Sequence, residues 1–296
     1  MSAAASRRGR RSHPPSLPTL ARRAILDHRL AARGDRVLVA CSGGPDSMAL
    51  LHVLASLRAE LGIDVVAHGV DHGLRPAARD ELDLARRVAD GVAVPFDVTT
   101  LQVTPGGNVQ ARARRARQDA LEAARERVGA RRIATAHTAD DRAETLLMRL
   151  VRGTGLAGLG VLPPSRGCLV RPLLEARRSD VLGYLERHAI PFAEDPSNRD
   201  PRFVRTRVRR EVLPVLEAMS PRVVRAICAL ADAAAELEVD PLAGLGRAQR
   251  ETLARALSEP RAETHLWLAG GREAVVTVRP ARAASRESRE DRVKKR

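Results

Sequence analysis

Apolar positions along the chain fall into two rhythms that alternate from residue 21 to about residue 151. Short apolar runs of strand length occur at Arg36–Cys41, Ile63–His68, Val94–Val98 and Arg132–Ala136. Between them lie longer stretches whose apolar residues recur every three or four positions. These predict helices over Ala21–Arg33, Asp46–Leu57, Ala77–Asp90, Val109–Val128 and Asp140–Val151. Strands that alternate with helices predict parallel pairing through right-handed crossovers. The expected fold class is therefore α/β: a doubly wound, mostly parallel sheet with helices on both faces. Leu169–Leu173 reads as one more strand. A helical segment follows over about 177–188, 203–217 and 220–238, and Val275–Val278 reads as a strand in a short C-terminal module. The expected domains are a basic disordered tail at 1–19, the main domain at 20–218, a small module at 219–278 and a second basic tail at 279–296.

Composition narrows the chemistry. Of 296 residues only five are aromatic, so the core must be aliphatic and a row of stacking aromatics is not expected. The net charge is +15, and the two tails carry much of it; solvated tails or a footprint for a polyanion both fit. Lys294 and Lys295 are the only lysines, so 49 of the 51 basic residues are arginine. A Walker-type phosphate loop and a Schiff-base lysine are thereby excluded from the body of the chain. Cys41, Cys168 and Cys228 are widely spaced and form no C-x-x-C, which argues against zinc, iron–sulfur clusters or a disulfide framework and suits a reducing cytoplasm. No 18-residue apolar run occurs, so no membrane span and no membrane partner are expected. The early basic stretch SRRGRR is followed by His-Pro-Pro, which reads as neither a secretory leader nor a good transit helix.

The strongest local signal is Ser42-Gly43-Gly44-Pro45-Asp46-Ser47, between a predicted strand and a predicted helix. Two glycines admit close backbone approach to an anion, and a helix start offers free N–H groups and the positive end of a dipole. Pro45 suits the first helical turn. An ordinary capped turn has the same local form. Downstream, His137, Asp140, Asp141 and Glu144 are spaced by three, four and seven, which on a helix would put them on one face. Arg114 and Arg117 are one turn apart on the predicted 109–128 helix.

The hexapeptide SGGPDS resembles the pyrophosphate loop of the N-type ATP pyrophosphatases, the PP-loop family. Val70-Asp71-His72-Gly73-Leu74-Arg75, Ala136–Asp141 with Glu144-Thr145, Arg152–Gly155, Arg171–Leu174, Glu194–Asn198 and Arg205–Arg209 follow in order. The whole series, over roughly residues 35–218, is similar to the tRNA(Ile)-lysidine synthetase family within it. That resemblance implies a ligase: ATP adenylates the wobble cytidine of an isoleucine tRNA with a CAU anticodon, and free L-lysine then displaces AMP to form lysidine. It further implies ATP binding by Ser42, Gly43, Gly44, Pro45, Asp46 and Ser47. Asp46 and Asp141 would hold Mg²⁺, and Asp46, Asp141 and Arg114 would be catalytic. Substrate contacts would come from His72, Arg75, His137, Asp140, Glu144, Arg117, Arg205 and Arg207. Gln110, Gln118 and Thr206 depart from the residues usual in the family, and many relatives carry larger C-terminal domains. Two other readings are another N-type adenylating tRNA-modification enzyme and a non-catalytic basic RNA-binding protein.

Overall fold

The computed structural model describes residues 15–71, 73, 77–101, 109–194, 200, 202–236, 251–252, 254–255, 264–268 and 272–276. They fall into two compact units, one running to Leu237 and the other from Glu238 onward. The first unit opens with α1 (Leu17–Asp27), then alternates β1 (Arg36–Cys41), α2 (Pro45–Leu61), β2 (Asp64–Asp71), α3 (Ala77–Gly91), β3 (Phe96–Thr100), α4 (Val109–Arg127), β4 (Arg132–Ala134) and α5 (Ala139–Val151). Helix α1 starts four residues before the expected position because the Ser16 hydroxyl accepts from Thr19 N–H and a proline fits the first turn.

The six-stranded sheet has the order β3-β2-β1-β4-β6-β5, where β5 is Ser165–Arg166 and β6 is Leu169–Val170. All pairs are parallel except β5 with β6. Of the strand predicted over 169–173 only Leu169–Val170 forms, as β6 parallel to β4; the sequence did not show β5, which adds an antiparallel pair before it. Strand β1 shows why its whole run is apolar. Val37, Val39 and Cys41 join a core with α1, α2 and the later helix α6 (Arg178–Arg187), while Leu38 and Ala40 join Leu121 and Ala124 of α4 on the opposite face. Alternate residues serve alternate faces, so both must be apolar.

From β1 the chain winds outward through β2 to β3, then returns through α4 to β4 on the other side of β1. The loops leaving β1 and β4 therefore diverge, and this reversal of winding is where open α/β sheets form a crevice at the carboxyl ends of their strands. The six-residue SGGPDS segment leaves β1 at that point, and His137–Asp141 follow β4.

Beyond α6 the expected 203–217 helix is divided into α7 (Val204–Arg207), a wide π-type turn (Val208–Val212) and α8 (Leu213–Met219). Helix α9 (Val223–Glu236) belongs to the first unit and not to a module beginning at 219. Its Ala231 and Ala234 are buried with Leu146 of α5, Leu159 and Val161. The second unit contains an antiparallel pair, β7 (Thr264–Leu268) and β8 (Arg272–Val276), with Trp267 opposite Glu273. No described helix is long and apolar enough to cross a membrane. All three cysteines are free thiols.

Candidate active site

Gly43 has φ +79°, and a Cβ there would lie 2.5 Å from the Glu81 carbonyl oxygen of α3, so only glycine fits without displacing that helix. The Gly43 carbonyl accepts from Ala193 N–H at 2.9 Å. Ser47 Oγ donates to the Gly44 carbonyl at 2.9 Å and accepts from Ser42 N–H at 3.2 Å, closing the turn on itself. Gly44 is the N-cap of α2 and makes no side-chain cap, so the first N–H groups of α2 are left for a ligand.

A cavity of about 960 Å³ opens over this turn. Ser42, Gly44, Pro45, Asp46 and Ser47 line it, together with Arg114 and Arg117 of α4, His137 and Asp141 after β4, Arg178 of α6, and Phe203, Arg205 and Arg209. Asp46 Oδ2 accepts from Arg178 at 3.2 Å, whereas its Oδ1 is buried with no hydrogen-bond partner. Burial pushes the Asp46 carboxyl up to about 6, against the lowering pull of Arg178.

Asp141 closes a capping box on α5: its carboxylate accepts from Thr138 N–H at 2.8 Å, and Thr138 Oγ1 accepts from Asp141 N–H. Burial would raise this carboxyl, but Arg205, the Thr138 N–H and Arg209 outweigh it and hold it below the usual range. Arg205 bridges two carboxylates, donating to Asp141 at 2.6 Å and Glu144 at 2.8 Å. Arg209 grips Glu144 with two further bonds at 2.5 and 2.9 Å. His137 Nδ1 bonds Thr135 Oγ1 at 3.0 Å, and burial pushes the ring down to about 4, so it is neutral at physiological pH.

The four-residue face expected from spacing does not form. His137 precedes the N-cap Thr138, which is extended, so helical periodicity does not reach it. Asp140 is turned away from the cavity. Arg177 Nε and Nη2 donate to its carboxylate at 3.1 and 2.9 Å, and Arg178 N–H donates at 2.7 Å. Asp140 thus anchors the start of α6. Glu144 is fully buried beneath the cavity as the counter-ion of two arginines. Arg207 points to solvent and pairs with Glu211, and Arg205 is bound to carboxylates in place of the tRNA phosphates expected. His72 and Arg75 lie outside the described residues, as does Gln110's side chain, while Thr206 is buried at the cavity wall. Arg209, expected with Arg205 to meet tRNA phosphates, is bound to Glu144 instead. Arg178 and Phe203 are site residues that the sequence reading left out. No local signal marks them, because arginine recurs on nearly every helix.

A PP-loop domain model matches residues 19–216. A tRNA(Ile)-lysidine synthase of Geobacter sulfurreducens is 40% identical over 237 residues, covering 77% of this chain and 49% of that protein. The synthase of Rhodopseudomonas palustris is 41% identical, with 77% of this chain and 68% of that protein covered. That of Pseudomonas aeruginosa is 43% identical, with 63% and 43% covered. The chain spans about half the length of the first and third of these relatives. The U34-tRNA thiolase NcsA of Methanococcus maripaludis shares the fold, with a TM-score of 0.63 at 18% identity over 74% of this chain and 78% of that one. With that model matching about two thirds of its length, the chain belongs to the PP-loop family.

Proposed function

We propose that this protein is an ATP-dependent ligase that converts the wobble cytidine of the CAU-anticodon isoleucine tRNA to lysidine, acting in the cytoplasm. The observation that carries the proposal is the lysine-free SGGPDS turn beneath a cavity that also holds Asp46, Asp141 and arginines with no carboxylate partner among the described residues. Relatives about 40% identical bear the synthase name and so support it.

In this reading the free N–H groups of α2 and the hydroxyls of Ser42 and Ser47 hold the β and γ phosphates of ATP. The cytidine O2 attacks the α phosphorus and pyrophosphate leaves. The lysine ε-amine then attacks C2, AMP departs with the oxygen, and the amine proton passes to a carboxylate or to solvent. Asp141, held ionised by Arg205 and Arg209, would attract the lysine ammonium rather than take up that proton. Arg114 and Arg117 would offset charge developing on phosphate.

The donor set suits Mg²⁺, although no group of three or more His, Cys, Asp or Glu ligands occurs among the described residues. Asp46 Oδ1 is an orphaned buried oxygen, and Asp141 is close enough to push the Asp46 carboxyl upward. A hard ion that takes one or two carboxylates and completes its shell with phosphate oxygens fits such a pair. When bound, it would neutralise charge on the departing pyrophosphate.

The test is to incubate the purified protein with ATP, Mg²⁺, radiolabelled lysine and the isoleucine tRNA. The expected outcome is label in the tRNA, with AMP and pyrophosphate released in equal amounts. Pyrophosphate release without lysine incorporation would point to a different adenylating reaction. Binding of tRNA without ATP cleavage would leave an RNA-binding protein.

A further inference from the structure

Resting on the reading above, we infer that Phe203 is a stacking platform for a nucleobase in the cavity. Within the first unit, Tyr184 is part of the main core, and Phe96 and Phe192 pack against that core. Phe203 joins no core cluster and is 38% exposed, on the wall of the cavity. An apolar ring left open to water at a pocket wall costs hydrophobic stabilisation unless something covers it.

The surroundings hold this ring in place and define what would cover it. Phe203 is the N-cap of α7, with its N–H bonded to the Asp200 carbonyl at 3.3 Å and its carbonyl accepting from Arg207 N–H at 3.2 Å. Both neighbouring arginines are tethered. Arg202 is held by the Asp200 carboxylate through bonds of 2.6 to 3.1 Å, and Arg205 by Asp141 and Glu144. The ring therefore sits on a short segment fixed at both ends, beside Val204, which is also exposed and lines the cavity. Arg114, Arg117 and Arg152 line the same cavity, and none has a carboxylate partner among the described residues. A flat apolar face beside unpaired cations matches a nucleotide, whose base stacks while its phosphates meet guanidinium groups. The base is either the one to be modified, with its neighbour in the RNA, or the adenine of ATP.

Equilibrium binding of the tRNA at several salt concentrations, and of a non-hydrolysable ATP analogue without RNA, tests the platform with Phe203→Leu and Phe203→Trp. Leucine keeps an apolar side chain but removes the π face; tryptophan keeps the face. The expected result is about a ten-fold weaker tRNA affinity for Phe203→Leu, in line with the loss of one stacked base. Phe203→Trp should bind as the wild type does, and the slope of affinity against salt should stay unchanged, since no phosphate contact is removed. Weaker binding of the analogue alone would assign the ring to adenine and still support a platform. Phe203→Leu binding both ligands as the wild type does would overturn it, as would a loss that tryptophan fails to restore. Lysine incorporation by the wild-type protein is measured alongside. Its presence with a silent Phe203→Leu refutes the platform only, and its absence refutes the ligase reading while the binding data still judge Phe203.

Discussion

The arginines of the cavity fall into two groups that differ in what they touch. Arg178, Arg205 and Arg209 end on Asp46, Asp141 and Glu144. Arg114 and Arg117 of α4, and Arg152 just past α5, line the same space with no carboxylate partner among the described residues. Charge in a shielded place has to be compensated. On the first wall the protein supplies that compensation itself, and the guanidinium groups fix the carboxylates in position. On the second wall Arg114 and Arg152 are exposed and Arg117 is half-buried, so water solvates this wall and leaves it open to an anionic ligand. Burial lowers the Arg117 pKa, as expected for a cation waiting for an anion. A positive charge in this site is therefore a poor guide to function until its partner is known.

Substitutions on the two walls should fail differently. The largest expected effect is at Asp46: Asp46→Asn should reduce pyrophosphate release by about 10³-fold while leaving the circular dichroism spectrum unchanged. The same variant reports on the paired wall through pH. Burial pushes the folded-state carboxyl up to about 6, above the ordinary aspartate value of about 4. Its contribution to stability is therefore present below about pH 4 and lost as pH rises through 6. Urea unfolding between pH 4 and 7 should show wild-type stability falling relative to Asp46→Asn across that window; a parallel pair of curves would contradict the assignment. Next in size, Glu144→Gln leaves two guanidinium groups short of a counter-charge. It should cost about 3 kcal/mol of stability, read by denaturant unfolding. Smallest, Arg114→Ala should leave stability unchanged, weaken tRNA binding about five-fold and reduce the salt slope by about one. A large loss of stability there would erase the distinction between the walls.

The sheet and its helices were legible because unbroken apolar runs of strand length, such as β1, alternate with long helical stretches such as α4. Arg36–Cys41 is the predicted strand to the residue, and the helix predicted over 109–128 ends one residue short of its expected limit. Strand β6 was read over too long a span and β5 was not legible, since two exposed residues are too few to establish a pattern. In the site, Gly43 marked the turn because its left-handed φ and the close backbone of residue 81 both demand glycine, whereas Gly44, at φ −75°, is under neither constraint. The roles of Asp140 and Asp141 were not separable from spacing. Adjacent residues on a helix point about 100° apart, and what each one reaches depends on α6 and α7, many residues away. Arg178 meets Asp46 across 132 positions, a pairing that no window of local sequence contains.

The turn after β1 is gripped by main chain from two directions: the carbonyl of residue 81 presses against one side, and an amide from residue 193 ties down the other. Side chains can change around such a clamp without altering its shape. Its conformational entropy is already spent when the fold forms, so an anion bound there would meet amides set in advance and lose little affinity to ordering them.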